Sequence, residues 1–162
     1  MSAIRITTAL GFAGLLPFLG ALLALMLNVD LPFKAGQVFV FYSAIILSFL
    51  CGAVWGSLLN TSCVALDLVE TDFTKIDFTK KAVALFIVSN LVSLTAWASL
   101  LIYNTHLDLS LGLLILGYTV VLAAEYAMRE LLYKQVYRGY LKLRSWLTFC
   151  VVTLHLGMLI VS

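Results

Sequence analysis

Charge is what this sequence has least of: acidic and basic residues make up 11% of its 162 residues, where a soluble domain carries roughly a quarter. Proline and histidine occur twice each, and the three cysteines, Cys51, Cys63 and Cys150, form no CxxC pair. These scarcities exclude several classes of protein. There is no HExxH, Walker loop, dinucleotide glycine fingerprint or GxSxG elbow, so the short signatures of zinc proteases, nucleotide-binding enzymes and α/β-hydrolases are missing. Two-histidine haem ligation needs both side chains in line at the two ring faces, and one of the pair, His106, falls in an expected turn. Cys150 and His155 lie five apart, about 140° round a helix, and do not share a metal. With no paired carboxylates and no nucleophile and base in evident reach, a non-enzymatic protein without a cofactor is expected.

What is present is apolar. Hydrophobic residues make up 63% of the chain and its mean hydropathy is +1.09. Uncharged runs cover 6–29, 35–66, 82–107, 109–124 and 145–162, each close to or beyond the ~17–25 residues that cross a bilayer core as a helix. Barrel strands alternate apolar and polar residues, and these runs do not. The pattern predicts an all-α polytopic membrane protein. A single domain over 1–162 is expected, a bundle of five spans at about 8–28, 38–59, 82–103, 109–128 and 146–161.

Nine of the ten lysines and arginines fall on one side of that arrangement, at Arg5, in the 60–81 connection and in the 129–145 connection; Lys34 is alone on the other. By the positive-inside rule the N-terminus is cytoplasmic and the C-terminus periplasmic. The first run follows Arg5 as a signal peptide does, but it is too long for an h-region and lacks a small-x-small cleavage site. It reads as an uncleaved span, and the chain as a protein of a bacterial inner membrane. Because the basic residues track topology, nucleic acid is not an expected partner. None of the cysteines lies on the oxidising side, so no structural disulfide is expected.

Three groups of residues stand out as candidate sites. Ser48, Gly52 and Gly56, four apart, lie on one helix face. Such small-xxx-small faces let backbones approach closely in lipid, so this segment is the expected centre of the bundle and a helix-packing face for a second copy or a larger complex. Asn90, Ser93 and Trp97 share a face of the third span, and Glu125 lies about one turn below the end of the fourth, with Arg129 four residues on to pair with it. These five either staple helices together or border a polar cavity. Finally, Tyr126, Tyr133, Tyr137, Tyr140 and Arg144 form one arc, and Lys134, Arg138 and Lys142 another. That predicts an amphipathic helix at the cytoplasmic interface, with Lys134, Arg138, Lys142 and Arg144 contacting anionic lipid headgroups. Within the first span, Pro17 predicts a kink, and Asp77 is the expected N-cap of the third.

Three segments, GFAGLLPF at 11–18, YSAIILSFLCGAVWG at 42–56 and YLKLRSWLT at 140–148, resemble a family of small bacterial integral-membrane proteins of unknown function, DUF3429. Its eukaryotic relatives include the mitochondrial transmembrane protein 69. Tyr42, Ser48, Phe49, Gly52, Trp55 and Gly56 are the most specific part, supported by Tyr140, Leu143, Arg144, Leu147 and Thr148. Cys51 departs from the pattern, where a second glycine is usual. The resemblance implies a five-span bundle in an energy-coupling membrane and brings no activity, cofactor or catalytic residue. The leading expectation is therefore a scaffold or accessory subunit. A small permease or lipid-handling protein is the alternative, and a quinone-binding helper near Trp55 and the tyrosine belt a weaker one.

Overall fold

The computed structural model describes residues 3–29, 32–68, 72–127 and 139–162. Within these residues the secondary structure is helical: α1 (Ala3–Ala13), α2 (Leu16–Met26), α3 (Ala35–Leu68), α4 (Asp72–Ile102), α5 (Leu107–Ala127) and α6 (Tyr140–Val161). Five segments are long and apolar enough to cross a membrane: Thr8–Met26, Ala35–Leu59, Lys80–Ile102, Leu107–Ala127 and Tyr140–Val161.

The first span is broken between α1 and α2, where Pro17, in the first turn of α2, has no N–H to continue the helical ladder. A backbone carbonyl at the break, that of Gly14, accepts a hydrogen bond of 3.0 Å from the Tyr42 hydroxyl of α3. The expected kink is therefore a break tied to the neighbouring helix. At the far end, Asn28 takes a left-handed conformation, φ 48°, which its short amide side chain tolerates better than most.

α3 packs against α2, α4 and α5, and α6 closes the bundle against α2 and α5. The core between them is apolar and aromatic, with Phe18, Phe39, Val40, Leu47, Leu58, Leu111, Leu114, Tyr118 and Met158 almost fully enclosed. Large apolar side chains also cover the outside, among them Ile45, Phe49, Leu91, Leu116, Phe149 and Ile160. Such an exterior suits lipid, where every backbone polar group is satisfied within its own helix.

Several boundaries differ from expectation. Rather than starting at Trp146, the last helix starts at Tyr140, so Tyr140–Arg144 belong to the final span and not to a separate interfacial helix. Arg129, Lys134 and Arg138 lie outside the described residues. Asp77 lies inside α4, whose helix begins at Asp72, and is not its cap.

The expected small-residue face is not packed against another helix. A Cβ at Gly52 or Gly56 meets nothing within 4 Å, and both glycines are exposed on the outer face of α3. A tight position is Gly117 of α5, where an added Cβ would stand 2.5 Å from Leu47 Cδ2 and 3.3 Å from Val92 Cγ1. The ladder at Ser48, Gly52 and Gly56 is therefore not the centre of the bundle: α3 turns its Val40, Ala44, Leu47, Cys51, Val54 and Leu58 stripe inward. Gly117→Leu is expected to lower stability in detergent by about 1–3 kcal/mol through overpacking, read as a fall in thermal midpoint. Gly52→Leu, measured the same way, is expected to leave it unchanged.

Candidate functional site

Three buried polar side chains of the bundle, Arg144, Thr148 and His155, lie on one stripe of α6. Arg144, Thr148, Val151, His155 and Met158, spaced four, three, four and three apart, are its buried face, as helical periodicity dictates. Opposite them α5 turns Tyr118, Val121 and Glu125 inward, and α3 contributes Ser43 and Cys51.

At one end, Arg144 Nε donates to Glu125 Oε2 at 3.0 Å, and the two side chains are only 7% and 3% exposed. A charge in hydrocarbon is costly alone, so each group depends on the other. The Nη2 of Arg144 and the hydroxyl of Thr148, one turn deeper on α6, are buried and make no hydrogen bond among the described residues. Beside the pair, on the outside of the bundle, Tyr126 and Ser145 meet hydroxyl to hydroxyl at 2.8 Å, a second tie between α5 and α6.

Nearer the other end, the His155 ring is fully enclosed. Its Nδ1 lies 2.8 Å from the Val151 carbonyl and its Nε2 2.8 Å from Ser43 Oγ. A carbonyl can only accept, so Nδ1 carries the proton, and in the neutral ring Nε2 accepts from the Ser43 hydroxyl. The Tyr118 hydroxyl donates to the Ser43 carbonyl at 3.0 Å. Phe39 and Phe18 cover the ring, with centroids 4.8 Å and 5.7 Å from it.

A nucleophile and a base are thus in reach of each other, contrary to the expectation from sequence, which could not pair residues 112 positions apart. Ser43 and His155 are each 0% exposed, so no substrate carbonyl approaches the hydroxyl in this conformation. As built, the dyad ties α3 to α6. Both nitrogens of His155 are engaged, and among the described residues no group of three or more His, Cys, Asp or Glu gathers to hold a metal.

Of the expected polar cavity of Asn90, Ser93, Trp97, Glu125 and Arg129, the four described residues do not gather round one space, and Arg129 lies outside the described residues. Asn90 and Trp97 face outward and Ser93 is half-buried. Asn90 bonds to its own helix, Nδ2 donating to the Phe86 carbonyl at 3.1 Å, and is not turned toward a neighbouring helix. Glu125 pairs with Arg144 from another helix. Arg144 is correspondingly not a headgroup contact but a core residue, while Lys142 is exposed. Trp55, the residue of the quinone-binding alternative, donates from Nε1 to Ser89 Oγ at 2.9 Å and packs edge-on to Phe86, joining α3 to α4.

A family model for proteins of unknown function, DUF3429, matches residues 3–160. This chain belongs to the DUF3429 family. No curated protein and no solved structure matches it. In this DUF3429 chain the three segments that carry the resemblance converge: Tyr42 of the second bonds Gly14 of the first, and Gly11 of the first lies against Leu147 of the third.

The buried pair yields a direct prediction. Glu125→Ala, which strands the guanidinium, is expected to cost about 3–5 kcal/mol. The double replacement Glu125→Leu with Arg144→Met, which removes both charges at similar volume, is expected to recover most of that loss. Reversible unfolding in mixed micelles gives both numbers, and a double variant as unstable as the single one contradicts the pairing.

Proposed function

We propose that this DUF3429 protein is a non-enzymatic scaffold or accessory subunit, held in a bacterial inner membrane with its N-terminus cytoplasmic, that docks a further transmembrane helix against α3. The observation that carries the reading is the outward face of that helix. Over the two turns from Phe49 to Gly56, the glycines at 52 and 56 leave a shallow depression with nothing within 4 Å of either position. On its rim, Phe49 is 70% and Leu59 53% exposed. In lipid, close approach of a second backbone gains dispersion contacts that acyl chains supply less completely. A second copy of the chain is the simplest occupant, since it offers the same depression to the same neighbour. The internal satisfaction of Glu125 and His155 further supports a packing role. The orientation rests on the distribution of lysine and arginine.

The paired change Gly52→Leu and Gly56→Leu fills the depression without touching the core. It is expected to shift the protein to monomer in native mass spectrometry from nanodiscs, and to abolish cross-linking in native membranes, while thermal stability stays within experimental error. Unchanged association and cross-linking contradict the proposal.

A further inference from the structure

Where α5 leaves the bundle and α6 enters it, a groove of about 490 Å³ opens to the outside, lined by Tyr126, Leu141, Lys142, Ser145, Trp146 and Phe149. Its two ends differ in chemistry. Lys142 is exposed and takes no part in the Glu125–Arg144 ion pair. Trp146 lies four residues further along α6 and Phe149 seven, about 6 Å and 10 Å deeper. They are 57% and 64% exposed, and their rings meet edge to face. A cation above an aromatic wall at that vertical spacing matches a phosphate above the first stretch of an acyl chain.

The hydroxyl pair in the groove adds selectivity. Ser145 Oγ donates its single hydrogen to the Leu141 carbonyl at 2.7 Å. The hydrogen in the 2.8 Å contact between Tyr126 and Ser145 must therefore come from Tyr126. Both hydrogens are committed inward, so the half-exposed Tyr126 oxygen offers the groove lone pairs only. It can accept from a headgroup but not donate to one.

We propose that this groove is a binding site for an anionic phospholipid whose headgroup carries hydroxyl groups, as phosphatidylglycerol does. Lys142 takes the phosphate, the Tyr126 oxygen accepts a headgroup hydroxyl, and Trp146 and Phe149 flank the acyl chain. The site shares no residue with the α3 face and stands or falls independently of it.

Native mass spectrometry of the full chain, released from nanodiscs, tests the proposal. The discs hold equal amounts of phosphatidylglycerol, phosphatidylmethanol (the same charge without the hydroxyls) and phosphatidylcholine. The expected retention of phosphatidylmethanol is about fivefold over phosphatidylcholine, from one lysine near the surface, and that of phosphatidylglycerol is about threefold over phosphatidylmethanol, from one hydrogen bond. Lys142→Gln is expected to remove the first preference. Tyr126→Phe is expected to remove the second and keep the first. Lys34→Gln, at an exposed position outside the groove, is expected to change neither. Equal retention of the three lipids overturns the proposal, and so does a Lys142→Gln variant that behaves as wild type or a Lys34→Gln variant that loses the preference equally.

Discussion

A bilayer interior offers a polar side chain no water, so a polar group there is stabilised by a partner on its own helix or on a neighbour. Everything distinctive about this bundle follows from how that demand is met. Side chains that can fold back on the preceding turn do so: Asn90 on Phe86, Thr119 on Ile115, Thr153 on Phe149. Those three positions are free to face lipid. Groups that cannot be satisfied locally turn inward and become ties between helices. Glu125 and Arg144 are the extreme case, because neither charge can be left in hydrocarbon without the other.

These ties fasten most pairs of neighbouring helices. Tyr42 joins α3 to the break between α1 and α2, Trp55 and Ser89 join α3 to α4, Ser110 bonds the Ser99 carbonyl across α4 and α5, and Ser43 and His155 join α3 to α6. In lipid the apolar surfaces of helices gain little from meeting each other, so directional contacts of this kind fix which faces meet. Gly117 complements them by letting α5 come close to Leu47 and Val92.

The crossings themselves were legible in the sequence, since uncharged runs of sufficient length have no other stable form in a membrane. The break at Pro17 was equally legible, because the missing N–H is a local property. What could not be read was rotation about the helix axes. Gly52 and Gly56 look like packing residues in any helix, yet only the neighbours decide that Leu47 and Cys51 turn inward instead. Asn90 looked like interhelical glue because its own-helix bond to Phe86 is invisible in sequence. A final helix beginning at Trp146 would leave Arg144 among the interfacial cations. With the start at Tyr140, the spacing of Arg144, Thr148, Val151, His155 and Met158 is a continuous inward stripe, and that regular alternation of three and four was the available signal. The meeting of Ser43 with His155 had no such signal, being a product of tertiary packing across most of the chain.

The ionic tie between α5 and α6 is the buried charged contact of the described interior, and it can be observed without altering a residue. Solid-state NMR in lipid bilayers, with dipolar recoupling between the Glu125 side-chain carboxyl carbon and Arg144 Nε, measures it directly. Strong dephasing at a separation consistent with the 3.0 Å contact between nitrogen and oxygen is the expected result. Absence of recoupling, with Arg144 Nε exchanging freely with water, contradicts the account.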